Sequence, residues 1–220
     1  MAYTFTATAN GTTTIGYATY GSTTWNRGTS NGACQGAYQG TSASASRVGV
    51  MVFTNAGATL KGKVIQSIAL SITCSSAGSG SSSKVLTFRQ ANYQSLQTGI
   101  KGSDQVGAVL GTLTGKFYGN TTTHYLTPLN NSDLYYALAA YLRAGNSALV
   151  LYNGETSSSS GYSTNYARVT SITITVYYEV ATVWYNNNGT WVQCAVYYNN
   201  GGTWVQVAPY YNSGGTWVQV

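Results

Sequence analysis

Few residues in this chain are equipped for chemistry. It holds one histidine, His124, and four acids, Asp104, Asp133, Glu155 and Glu179. A serine nucleophile would need His124 as its base, yet His124 lies in Thr121-Thr-Thr-His-Tyr125 with no nucleophile motif beside it. It reads as a loop or strand-edge histidine. Glycoside hydrolysis needs two carboxylates across one cleft. Asp133 opens a helical pattern and Glu179 falls on the polar face of a strand pattern, which leaves Asp104 and Glu155, both in polar connections. A calcium site needs clustered hard oxygens, and the four acids do not cluster. Gly111 to Lys116 is no phosphate loop, because its glycine spacing is wrong and Phe117 stands where Ser or Thr is needed. Cys34, Cys74 and Cys194 are odd in number and widely spaced, so neither a disulfide framework nor a zinc site is indicated. The expectation is a protein that is not an enzyme, with no catalytic residue, no cofactor, no metal and no obligatory disulfide.

Aromatic residues remain. The chain carries 20 Tyr and 5 Trp. Such rings stack on sugars or fill protein interfaces equally well. Candidates for interface or glycan contact are Trp184, Tyr185, Trp191, Tyr197, Tyr198, Trp204, Tyr210, Tyr211 and Trp217. For Trp191, Trp204 and Trp217 packing is the favoured use, since repeats must bury something.

These nine residues belong to a tandem repeat. Trp191, Trp204 and Trp217 recur at a spacing of 13, as do Gly189, Gly202 and Gly215. Each unit runs from an aromatic pair through an Asn/Gly turn into Thr-Trp-Val-Gln, the pattern of a small hairpin, because Asn and Gly accept the positive φ of tight turns. In the returning strand Trp191 and Gln193 face one side, and Val192 and Cys194 the other. Cys194 stands where Val207 and Val220 stand, and so reads as a small hydrophobe. A lone hairpin is marginal in water, so stacking of the three units on a shared core is expected. Arrays normally need caps, and no charged residue follows Glu179. That is a poor monomer surface and a good interface.

Upstream, period-two alternation dominates. Tyr3, Phe5 and Ala7 alternate with threonines. Val48, Val50 and Val52 oppose Met51 and Phe53. Val64, Ile68, Leu70, Ile72 and Cys74 share one face of a long strand, and Ile172, Ile174, Val176, Tyr178 and Val180 one face of another. Lys84 to Arg89 and Ala148 to Tyr152 read as shorter strands. These are half-buried strands with one wet face. Thr29 to Ser46, Ser75 to Ser83 and Ser157 to Ser163 read as connections rich in small residues. One helix is predicted over Ser132 to Ala144: Leu134, Ala137, Leu138, Tyr141 and Leu142 make an apolar stripe, Ser132 caps it and Gly145 stops it. The fold class expected is all-β: a jelly-roll-like β-sandwich with one short helix over 1–181, then a small C-terminal β-hairpin repeat region over 182–220.

Composition agrees. Of 220 residues only 6% are charged, against 43% hydrophobic, with 26 Gly and 2 Pro. Turn-joined strands suit that mix and exposed helices do not. The formal net charge of +6 comes from scattered basic residues, and nucleic-acid binding would want a concentrated stripe. The amino-terminal sequence resembles no secretory signal, and no apolar run approaches membrane-spanning length. A soluble product of a cytoplasm is expected, with no membrane insertion and no nucleic-acid partner.

The Tyr-Tyr-Asn-x-Gly-Gly-Thr-Trp-Val-Gln-Val units over 183–220 resemble the repeats that close structural proteins of tailed-phage virions, notably of gut bacteriophages. The resemblance implies a virion location after synthesis in the host cytoplasm. It also implies capsid decoration, head fibre or tail-associated fibre or adaptor duty, contact with other capsid or tail proteins, and a homo-oligomer, a trimer by analogy with such fibres. The alternative role is a carbohydrate- or receptor-binding module that attaches the phage to a host-surface glycan.

Overall fold

The computed structural model describes residues 2–75, 82–117, 119, 121–157 and 161–180. In the C-terminal region it describes 183–187, 189–194, 196–206, 210–213 and 216–219. Beyond 180, side chains are described only at 189, 196, 197 and 199–205. The expected Ser-rich connections at 75–83 and 157–163 lie partly outside the described residues.

Eleven strands build the main body. They are β1 (Ala2–Ala9), β2 (Ile15–Thr19), β3 (Asn26–Arg27), β4 (Ala33–Ala37), β5 (Ser46–Val52), β6 (Val64–Cys74), β7 (Lys84–Ala91), β8 (Val106–Gly115), β9 (Thr121–Leu126), β10 (Ala148–Leu151) and β11 (Ala167–Glu179). Helix α1 (Ala56–Leu60) joins β5 to β6, and α2 (Ser132–Arg143) joins β9 to β10. Every strand pair is antiparallel. One layer runs β1-β11-β6-β9 and the other β8-β7-β10-β5-β2, with β3 at its rim. The fold is all-β, an antiparallel sandwich with one short multi-turn helix, as the alternation predicts.

The layers meet over one core. Ile68, Leu70 and Ile72 of β6 and Ile172, Ile174 and Val176 of β11 are fully buried, facing Met51, Phe53, Leu86 and Phe88 from the other layer. Each such burial contributes roughly 1.5–3 kcal/mol. On β6 the core residue near the start is Ile65, not Val64. The register slips between Ser67↔Tyr177 and Ile65↔Tyr178, so Gln66 is an extra residue. A bulge shifts the alternation by one and turns Ile65 inward.

The two layers differ in their outer faces. The β1-β11-β6-β9 face is wet and built of hydroxyls, as expected. Thr8 bonds Thr173 at 2.8 Å, Ser71 bonds Thr123 at 2.8 Å and Thr73 bonds Thr121 at 2.8 Å. The other layer is covered on both faces over β5 and β10. Outward-pointing Val48, Val50, Ala91, Ala148 and Val150 form a second buried cluster beneath Trp25, Tyr20 and Leu96. The connection from 92 to 105 roofs it, tied down by Ser103 N–H donating to Tyr20 O at 2.7 Å and Trp25 Nε1 donating to Ile100 O at 3.1 Å.

Thr29 to Ser46, expected as a connection, contains β4. All five of its residues are buried. Ala33 to Gln35 pair with β11 in one layer, and Gly36 and Ala37 pair with β5 in the other. The switch is at Gly36, whose φ of +76° suits glycine, and a Cβ there would lie 2.6 Å from Ser163 Oγ. Strand β4 was illegible because both its faces are buried in small residues, which erases alternation.

Helix α2 matches its predicted stripe: Leu134, Leu138, Tyr141 and Leu142 are buried, and Tyr135 and Ala139 widen the stripe. The cap differs. Asn131, at φ +52°, precedes the helix and Ser132 is its first residue. Asn tolerates the left-handed conformation that the tight entry imposes. Gly145, at φ +96°, ends the helix as expected and donates to Leu142 O at 2.9 Å.

Candidate functional site

The repeats form three hairpins: β12 (Val183–Asn187) with β13 (Thr190–Cys194), β14 (Tyr197–Asn200) with β15 (Thr203–Gln206), and β16 (Tyr210–Ser213) with β17 (Thr216–Gln219). Each is its own two-stranded sheet. The expected stacking does not take the form of a continuous sheet among the described residues. The middle unit shows why the hairpins form. Gly201 and Gly202 lie at φ +61° and +94°, and the Asn199 side-chain oxygen accepts from Gly202 N–H at 2.7 Å. Two successive positive φ values fit the primed two-residue turn, whose twist matches that of paired strands.

Register places the same residue types together in each unit. Asn186 stands opposite Trp191, Asn199 opposite Trp204 and Asn212 opposite Trp217. Trp184, Tyr197 and Tyr210 stand opposite Gln193, Gln206 and Gln219. Cross-strand partners share a face. Each hairpin therefore carries an aromatic, an Asn, a Trp and a Gln at register positions of one face. Among the candidate residues, Tyr197 is 52% exposed and Trp204 67% exposed. The side chains of Trp184, Tyr185, Trp191, Tyr198, Tyr210, Tyr211 and Trp217, and of Cys194, lie outside the described residues. Trp204 is thus largely uncovered within a single chain.

The titratable residues are scattered and engaged elsewhere. His124 sits on edge strand β9, opposite Leu70. Its ring packs 5.2 Å from Phe117, its Nε2 is buried without a partner, and burial holds its pKa below the usual histidine value. Asp104 accepts from Lys101 N–H at 3.2 Å and fixes a short turn. Asp133 lies in the first turn of α2. Glu155 accepts from Asn165 N–H at 2.7 Å and from Asn165 Nδ2 at 2.6 Å. Burial pushes the Cys34 thiol up to about 11 and the Cys74 thiol up to about 12, far from a reactive thiolate. Both are free. Among the described residues no group of His, Cys, Asp and Glu is placed to hold a metal ion, and no helix is long and apolar enough to cross a membrane.

Three glutamines carry duties that sequence reasoning missed. Gln35 is fully buried. Its Nε2 donates to Val85 O at 2.6 Å and to Asn165 O at 2.9 Å, and its Oε1 accepts from Thr87 N–H at 2.9 Å. Gln105, also fully buried, donates to Tyr93 O and Ser95 O at 3.2 Å and accepts from Tyr93 N–H at 3.1 Å. Gln94 accepts from Ser147 N–H at 2.7 Å and Ala148 N–H at 3.0 Å. Gln94 lines a groove between β7, β8 and α2, so that polar group is spent on the fold. A glutamine at an unpatterned position gives no sequence signal; only the strand ends it serves reveal it.

No protein-family model matches the chain, and no curated protein matches it.

Proposed function

We propose that this chain is a structural component of a bacteriophage virion, a capsid decoration, head fibre or tail-associated fibre or adaptor, that acts by protein–protein assembly and not by catalysis. The observation that carries this reading is the exposed aromatic hairpin. Trp204 and Tyr197 stand in solvent at 67% and 52% exposure on a segment without a charged residue after Glu179. Exposed rings in an uncharged setting match the core of an interface and not a free surface. The engagement of Asp104 and Glu155 in backbone contacts supports a non-enzymatic role. The partners are further copies of the chain, three by the resemblance, and other capsid or tail proteins; neither nucleic acid nor membrane is among them. The product is made in the host cytoplasm and resides in the virion.

Sedimentation of the full chain against a variant with Trp191, Trp204 and Trp217 all changed to Ala tests the assembly role. The parent should self-associate and the variant should not. Equal masses would overturn it. Gold-labelled antibody on purified particles tests location, and unlabelled particles would overturn the virion reading.

A second reading has one observation in its favour. Tyr197, Asn199 and Trp204 share one hairpin face, a ring-and-amide set suited to a sugar. In this reading the hairpins attach the phage to a host-surface glycan. Binding on a glycan array that is lost in Trp204→Ala would favour it.

A further inference from the structure

The rim strands of the sandwich are not alike. Strand β8 pairs with β7 through two register shifts, near Phe88/Arg89 and Arg89/Ala91. Bulges of that kind twist a rim away from new partners. On β9 the Asn130 side-chain amide occupies the Tyr125 carbonyl at 2.9 Å. Strand β3 has two residues. Strand β1 has none of these protections. Its eight residues pair with β11 from Ala2↔Glu179 to Ala9↔Ile172 without a shift, and contain neither a charge nor a proline. Among the described residues, no further backbone hydrogen bond reaches 2–9. About half the N–H and C=O groups of such a strand point outward from the sheet.

We propose that β1 is a self-pairing edge, at which a second copy of this chain adds its own β1 antiparallel and continues the layer across a two-fold axis. The proposal rests on the reading of the chain as a self-assembling component, but uses a surface separate from the hairpins. The groups on β1 demand an extended strand as occupant, and three features fit a second copy. Thr4, Thr6 and Thr8 are exposed and share one face. A two-fold through Thr6 sets Thr6 opposite Thr6 and Thr4 opposite Thr8. That repeats the threonine pairs already made with β11, where Thr6 bonds Thr175 at 3.3 Å and Thr8 bonds Thr173 at 2.8 Å. On the other face Phe5 comes opposite Ala7, and both are only partly covered in one copy. Finally, two chains of net charge +6 repel. An edge without a charged side chain lets them approach.

Charge-swap variants on the full chain test the pairing, read by sedimentation velocity across a concentration series. Thr6→Lys places like charges opposite each other at the axis, and Thr6→Glu does the same. Each alone should weaken self-association about fivefold or more, and an equimolar mixture should restore it. Circular dichroism should be unchanged, since Thr6 is exposed. If Thr6→Lys fails to fold, the double variant Thr4→Lys/Thr8→Lys mixed with Thr4→Glu/Thr8→Glu makes the same test, because each alone sets like charges opposite each other and the mixture sets opposite ones. Unchanged association in folded Thr6→Lys, no rescue on mixing, or a parent that stays monomeric would each overturn the proposal. If the triple Trp→Ala variant loses association while Thr6→Lys keeps it, this edge fails and the hairpin reading stands. The converse result leaves the edge standing and removes the hairpins.

Discussion

The side-chain amide of Gln35 donates to the main-chain carbonyl of Val85 at 2.6 Å while its oxygen accepts from Thr87 N–H at 2.9 Å. One glutamine on β4 thus pairs with β7 as a short strand would. Glu155 completes the arrangement by clamping Asn165, whose Oδ1 accepts from Val85 N–H at 2.9 Å. In a chain with 6% charged residues, the neutral amides of Gln35 and Asn165 satisfy the main chain of β7 at Val85 and Thr87.

Gln35→Leu should therefore destabilise the sandwich. It orphans Val85 O, Thr87 N–H and Asn165 O, which are partly buried, and each orphaned group costs up to about 1–3 kcal/mol. Chemical denaturation should show a lower midpoint with an unchanged slope. A change below about 0.5 kcal/mol, the range of an ordinary surface substitution, would show that water replaces the amide.

Acid should weaken the fold through His124. Its folded-state pKa lies below the ordinary histidine value of about 6.5 because burial disfavours the charged ring. The unfolded chain then binds the proton more readily, so the stability His124 contributes is fully present above pH 6.5 and is lost as pH falls through the lowered value. His124→Leu should flatten the dependence of melting temperature on pH between about 7 and 5. A profile identical to the parent's would assign the acid sensitivity elsewhere.

Cys34 and Cys74 should resist alkylation in the native state. Only the thiolate reacts, and burial raises both thiols, to about 11 and about 12. Mass spectrometry after iodoacetamide at pH 8 should show neither modified until denaturant is added. Modification at the rate of a free thiol would mean that the β4-β11-β6 region opens readily.

Trp204→Ala should cost the isolated chain less than about 1 kcal/mol. The loss of about 3–5 kcal/mol typical of a buried tryptophan does not apply to a ring 67% exposed. Thermal melts at low concentration measure the first effect, and melts at high concentration should separate parent from variant if assembly covers the ring. Equal melting at every concentration would mean that nothing covers it.

What was legible in the sequence was whatever alternates against a one-sided core. Strands β1, β6 and β11 announce themselves because Ile72, Ile174 and Val176 recur every second residue beside hydroxyls. Helix α2 does so through Leu134, Leu138 and Leu142. Strands β4 and β10 show no alternation of burial, because they are covered on both faces; β10 is legible as a short apolar run, whereas Gln35 and Gly36 interrupt β4 and hide it. Val64 takes the place of Ile65 in the sequence pattern because a bulge leaves no mark in composition. The candidate site was legible as a repeat, since the turn glycines and Trp spacing are local facts. That the hairpins form separate two-stranded sheets was not, because sheet partnership depends on chain direction after residue 180.

Strand β4 belongs to both layers, changing allegiance at Gly36. In mechanical terms the body is not two plates held by a film of side chains but a single folded band. A tension applied to β11 at its Ala167 to Val169 end passes through β4 into β5 along main-chain bonds. Parting the layers there requires that β4 be stripped from β11 or from β5. The shorter of the two pairings, Gly36 and Ala37 on β5, is therefore where the band is narrowest.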